Sequence, residues 1–168
     1  MAKRIVTKIG YIFCVEIEGQ HKRYFQYIAN DLSQLNSSVI RVFKRKYPMD
    51  YVFNADEVID DEIDFYAHAI LRIGILENTW YKVGKHSNVG SLEHIIFRCS
   101  NHFFNPDDMS PENWKAYDWY VWHINEDCID VGELTEDVKQ QTHYGVVFSY
   151  LSIYDRLKYG EFKIKMPY

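Results

Sequence analysis

Two runs of alternating residues open the chain, Tyr11-Ile12-Phe13-Cys14-Val15-Glu16-Ile17 and Tyr24-Phe25-Gln26-Tyr27-Ile28-Ala29, and Glu18-Gly19-Gln20 lies between them. Successive side chains of a strand point to opposite faces, so period-two patterning around a Gly-containing turn predicts a β-hairpin. An N-terminal hairpin this rich in aromatics commits the chain to a sheet, because the aromatic face has to be covered. The chain has 168 residues, 47% of them hydrophobic and 17% aromatic. That is enough apolar material for one core, and the expected organisation is a single domain over residues 1–168.

Further strands follow from the same reasoning. Val39 to Tyr47 is β-branched and aromatic and stops at Pro48, which predicts a third strand. Phe65 to Ile75 has apolar residues at every odd position and reads as one long strand, the alternation fitting period two better than the helix that is its alternative. Shorter strands are expected at Thr79–Gly84, His94–Cys99, Tyr117–Ile124 and Cys128–Gly132, with a closing strand around Lys163-Ile164-Lys165. Three helices are predicted. Asn54 caps a short turn toward Ile59, and Thr135 caps a second. The third has Tyr150, Ile153, Tyr154 and Leu157 at i, i+3, i+4 and i+7, between Ser149 as N-cap and Gly160 as terminator. The expected fold class is α+β and mostly β: a twisted antiparallel sheet or small, partly open barrel, with the C-terminal helix packed on it.

Charge is unevenly spread. Residues 1–50 hold nine Lys/Arg against four Asp/Glu, and the remainder hold ten against twenty, which gives −5 overall. An acidic later segment is a face for a basic partner. Asp60, Asp61, Glu62 and Asp64 form its sharpest cluster; Asp107 and Asp108 add a second. They lack the Gly and the spacing of a calcium loop. Trp119 and Trp122 are the aromatic anchors such a face would use, provided one side of their strand is open. In the N-terminal part, Lys22 to Tyr27 and Arg41 to Tyr47 interleave basic and aromatic residues. On an open sheet face these could stack bases and neutralise phosphates, which gives a second reading as a nucleic-acid-binding module.

The chemistry-bearing residues do not assemble into a known catalytic pattern. Seven His occur without HExxH spacing, although a fold could bring His68 and His123 together. Pro106-Asp107 and Glu161-Phe162-Lys163 match parts of a nuclease core but stand far apart. Neither a phosphate-cradling Gly-rich loop nor a GxSxG elbow is present. Cys14, Cys99 and Cys128 form neither a zinc site nor a disulfide framework, and read as reduced thiols. No segment is apolar and long enough to cross a bilayer as a helix. The expectations are a cytoplasmic protein with no cofactor, no metal, no membrane association and no enzymatic activity.

The segment Lys8 to Ile17, with the return strand Tyr24 to Ile28, resembles the immunity protein twenty-six family of bacterial polymorphic toxin systems. Gly10, Ile12 and Phe13 match the family pattern, and Tyr11 stands where the family carries an acidic residue. The resemblance implies a mostly β protein that binds a cognate toxin effector and neutralises it by occlusion. It also implies a basic effector, such as a nuclease. No contact residue is transferred from the family; Asp60, Asp61, Glu62, Asp64, Asp107, Asp108, Trp119 and Trp122 are chosen on physical grounds alone.

Overall fold

The computed structural model describes residues 4–104 and 115–164. Asp107, Asp108 and Lys165 lie outside the described residues. The opening hairpin forms as its alternation requires: β1 (Tyr11–Ile17) pairs antiparallel with β2 (His21–Asp31), with Ile17 opposite His21 and Ile12 opposite Gln26. Next come β3 (Ser37–Phe43), α1 (Ala55–Ile59), β4 (Ile63–Ala69), α2 (Leu71–Leu76), β5 (Tyr81–Lys85) and β6 (Ile96–Ser100). After a 3₁₀ turn at Asn101–Phe104, the chain forms β7 (Trp119–His123), β8 (Ile129–Gly132), α3 (Glu136–Gln141), β9 (His143–Tyr144), β10 (Val147–Phe148) and α4 (Tyr150–Tyr159).

The strands form two sheets, ordered β10-β4-β3-β2-β1-β5 and β8-β7-β6-β9. Neither closes into a barrel. Both are mixed, because β10 runs parallel to β4 and β9 runs parallel to β6. The mostly β α+β class with α4 packed on a sheet is as expected; the sheet is divided in two, and each part carries a parallel edge strand beside its antiparallel ones. Both parallel strands come from one short segment, residues 143–148, which leaves one sheet and joins the other. Gly145 makes this crossing possible. Its amide donates to the Arg98 carbonyl at 2.8 Å, and a Cβ there would overlap the Trp122 ring.

The six-stranded sheet is covered on both faces. The row Phe13, Phe25, Val42 and Phe65 faces α4, whose Arg156 lies 4.6 Å from the centre of the Phe65 ring. Trp80 packs edge-on against Phe25 on the same side. On the opposite face, His68 meets Phe97 of the smaller sheet with ring centroids 4.1 Å apart. Ile12, Cys14, Tyr24, Phe43, Tyr47 and Val58 make a second, separate small core with α1.

All three expected helices are present with their caps. Asn54 accepts from the Glu57 amide, Thr135 from Val138 and Ser149 from Ser152, and Gly160 ends α4 in the left-handed region. The long strand expected over Phe65–Ile75 is corrected: it stops at Ala69, and Leu71–Leu76 is helical. An apolar run satisfies helix and strand alike, and here the buried positions Leu71 and Gly74 and the partly buried Ile75 follow the helical spacing. Residues 161–164 form no strand, so the part of the expected closing strand that is described is absent.

Candidate functional site

The acidic cluster at residues 60–64 comes together in space but is mostly spent on the protein's own cations. Asp64 accepts from Arg23 at 2.7 Å and from Arg156 of α4 at 2.8 Å, with its side chain 16% exposed. Glu62 pairs with Lys44, and Asp61 accepts the backbone amides of Arg45 and Glu62. Asp60 is exposed at the end of α1. Asp64 therefore fastens a helix to a sheet, and Asp61 shapes a turn. Of the four, only Asp60 keeps a free carboxylate at the surface.

Trp119 and Trp122 are each 1% exposed. Trp122 packs between the sheets and Trp119 is equally enclosed, so neither serves as an exposed anchor in the free protein. The basic-aromatic strands are also withdrawn from the surface. Tyr24, Phe25, Tyr27, Phe43 and Tyr47 are buried. Arg23 is committed to Asp64 and the Phe43 carbonyl, and Arg41 to Gln26 and the Asn88 carbonyl. These strands offer no stacking platform for bases.

His68 meets Asp31 rather than His123. Its Nε2 lies 3.0 Å from Asp31 Oδ2, the same oxygen that accepts the Trp122 indole N–H at 2.8 Å. Asp31 Oδ1 receives the Asn125 amide and the Ser33 hydroxyl. Burial works against the Asp31 carboxylate, but these bonds together hold its pKa below the usual value. Burial pushes His68 down and outweighs the carboxylate's pull upward. The pair is thus a neutral imidazole donating from Nε2 to an ionised carboxylate, which leaves Nδ1 without a partner. Both side chains are fully enclosed. The pair lies within the six-stranded sheet and is out of reach of a substrate, and the Trp122 bond to Asp31 ties the smaller sheet to it.

Ser100, His102 and Asp118 also gather. The Ser100 hydroxyl donates to Asp118 Oδ1 at 2.7 Å, and His102 Nδ1 lies 2.8 Å from the same oxygen. The serine faces the acid and not the imidazole, so this is not a nucleophile–base relay. Among the described residues, no group of three or more His, Cys, Asp or Glu could hold a metal ion.

Two places remain. The first is the β7–β8 hairpin, where, among the described residues, β8 is the outer strand of its sheet and has one unpaired edge. Between Lys115 and Lys139 the sequence contains no Lys or Arg but carries Asp118, Glu126, Asp127, Asp130, Glu133, Glu136 and Asp137. Glu133 and Glu136 pair with the two flanking lysines, while Glu126, Asp127 and Asp130 stand exposed beside Ile129, itself 59% exposed. Charge of one sign keeps two copies of this edge apart and leaves it open to a basic strand. The sequence already held this signal, in the long interval without a cation.

The second place is a polar cleft of about 380 Å³ at the seam between the sheets. Tyr66, Arg98, His143, Tyr144, Lys139 and Arg156 contribute to its lining. These residues are scattered over five elements, and no sequence pattern links them. Another cavity, about 560 Å³, is an apolar groove beside Phe148 and Phe162. It gathers no cluster of titratable groups.

Comparison with family models, curated proteins and solved structures finds no match to this chain.

Proposed function

We propose that the protein is a non-catalytic binding protein of the immunity type. It engages a basic toxin effector and blocks it by occlusion, and the contact surface is the acidic β7–β8 hairpin. The observation that carries this reading is the conjunction on the β7–β8 hairpin of a strand edge unpaired among the described residues, an exposed Ile129 and the carboxylates of Glu126, Asp127 and Asp130, which form no ion pair among the described residues. Backbone donors and acceptors on the edge supply affinity, the carboxylates steer a cationic surface inward, and Ile129 provides an apolar contact. The resemblance of the N-terminal hairpin to toxin immunity proteins supports the same role. So does the structural use made of the other clustered acids and histidines.

The test is neutralisation of the effector encoded beside this gene, together with its affinity at low and high salt. Reversing two charges, Asp127→Lys with Asp130→Lys, is expected to weaken binding at least about tenfold, mainly through slower association. Asp60→Lys with Asp61→Lys is expected to have a smaller effect. Full effector activity in the presence of saturating protein would remove the immunity reading. Neutralisation that ignores the hairpin charges would remove only the assigned surface.

A further inference from the structure

Three arginines are buried among the described residues, and they differ in how their charge is met. Arg23 has the Asp64 carboxylate and the Phe43 carbonyl. Arg41 has no carboxylate, but its Nε donates to Gln26 and its Nη2 to the Asn88 carbonyl. Arg98 is 8% exposed and has no carboxylate within ion-pairing distance. All its hydrogen bonds leave from one nitrogen: Nη1 donates to the Thr142 carbonyl and hydroxyl and to the Lys139 carbonyl, at the end of α3. Nε is sealed from solvent and has no hydrogen-bond partner, Nη2 makes no hydrogen bond of ordinary length, and the guanidinium carbon lies 4.6 Å from the centre of the Tyr144 ring, a cation–π contact that meets only part of the charge. A buried cation without a counter-ion is costly, and proteins seldom leave one so.

Arg98 borders the polar cleft at the seam. Around it stand Lys139, whose Nζ pairs with Glu136 at the surface, Arg156, which pairs with Asp64, the phenols Tyr66 and Tyr144, and His143. Two acids, Asp64 and Glu161, also reach the cleft, but Asp64 is already bonded to both Arg23 and Arg156. His143 reports the local field: burial first, then Arg98 and His94, press its pKa down to about 4. Tyr66 packs against both imidazoles and lies 3.3 Å from His94 Nε2.

We propose that this cleft is a binding site for a small oxyanion, a carboxylate or phosphate group, received by Arg98 with Lys139 beside it. The oxyanion takes an Nη2–H beside Tyr144 and supplies the anionic counter-charge that no carboxylate of the protein provides among the described residues. The aromatic walls, Tyr66, Tyr144 and Phe162, accommodate a flat body attached to that group. The site is independent of the acidic hairpin and of the toxin-binding role.

The experiment follows the His143 imidazole resonance while inorganic phosphate, and separately benzoate, is added to the intact protein, with sodium chloride at matched ionic strength as control. The expected result is a saturable shift with at least one probe, at a Kd of about 1 mM or tighter, and a rise in the His143 pKa once Arg98 is neutralised. Saturation with phosphate alone identifies a phosphate site; saturation with benzoate alone identifies a carboxylate site. Arg98→Lys keeps the charge but loses the fork, and is expected to bind at least about tenfold more weakly. Lys139→Gln leaves intact the backbone carbonyl that holds Arg98, so it tests the site without disturbing the fold, and is expected to weaken binding about threefold. A wild-type resonance that moves no differently in either probe than in chloride would overturn the proposal. So would wild-type affinity in Lys139→Gln and Arg98→Lys alike.

Discussion

Removing the Asp31 carboxylate strands two buried donors at once, the Trp122 indole N–H and the His68 imidazole N–H. Asp31→Ala is therefore expected to cost about 3 kcal/mol or more of stability, measured by urea unfolding followed through tryptophan fluorescence. The acidic cluster offers a sharper comparison. Asp64→Asn breaks pairing to Arg23 and Arg156 and is expected to lose about 2–4 kcal/mol, whereas Asp60→Asn, on an exposed carboxylate, should stay within about 0.5 kcal/mol. Equal effects at the two positions would contradict the division drawn here between a structural and a surface acid. In the sequence the two residues look alike. What separates them is that strand β4 turns Asp64 toward α4, where Arg156 arrives from ninety-two positions away.

Caps decided α1, α3 and α4 locally, while α2 has no side-chain cap. Asn54, Thr135 and Ser149 each place a side-chain oxygen on the orphan amide three residues on, and nothing distant is needed for that. Ser149→Ala is expected to lower stability by about 1 kcal/mol, visible as a reduced urea midpoint with an unchanged slope. Gly145→Ala tests a different element, the crossing between sheets. A methyl there meets the Trp122 ring and the Arg98 carbonyl, so a loss of about 1–3 kcal/mol is expected from overpacking. The boundary between β4 and α2 was not legible, because Phe65 to Leu76 is apolar enough for either period. Trp80 settled it: its ring lies against Gly74 and its indole N–H donates to the Leu71 carbonyl at 3.0 Å.

At the scale of the molecule, the histidines set the response to acid. His68 and His143 have folded pKa values below the unfolded one, His143 at about 4. Between that value and roughly 6.5 the unfolded chain holds more protons, so stability is full above this window and falls as pH drops through it. Asp31, also depressed, extends the loss to more acidic pH. Thermal unfolding is expected to show a lower Tm at pH 5 than at pH 7, and a flat profile across that interval would contradict the buried neutral assignment of the two imidazoles. From its alternation, turns and caps, the sequence alone determined a mostly β chain with an opening hairpin, three capped helices and an acidic later segment. Those signals are local, acting over a few bonds. Tertiary structure alone decided which charges cancel, which aromatics are covered, and that Arg98 is left at a cleft without a counter-ion. Each of these depends on residues from separate strands meeting across the seam between two sheets, and the order of residues along the chain does not encode which faces will touch.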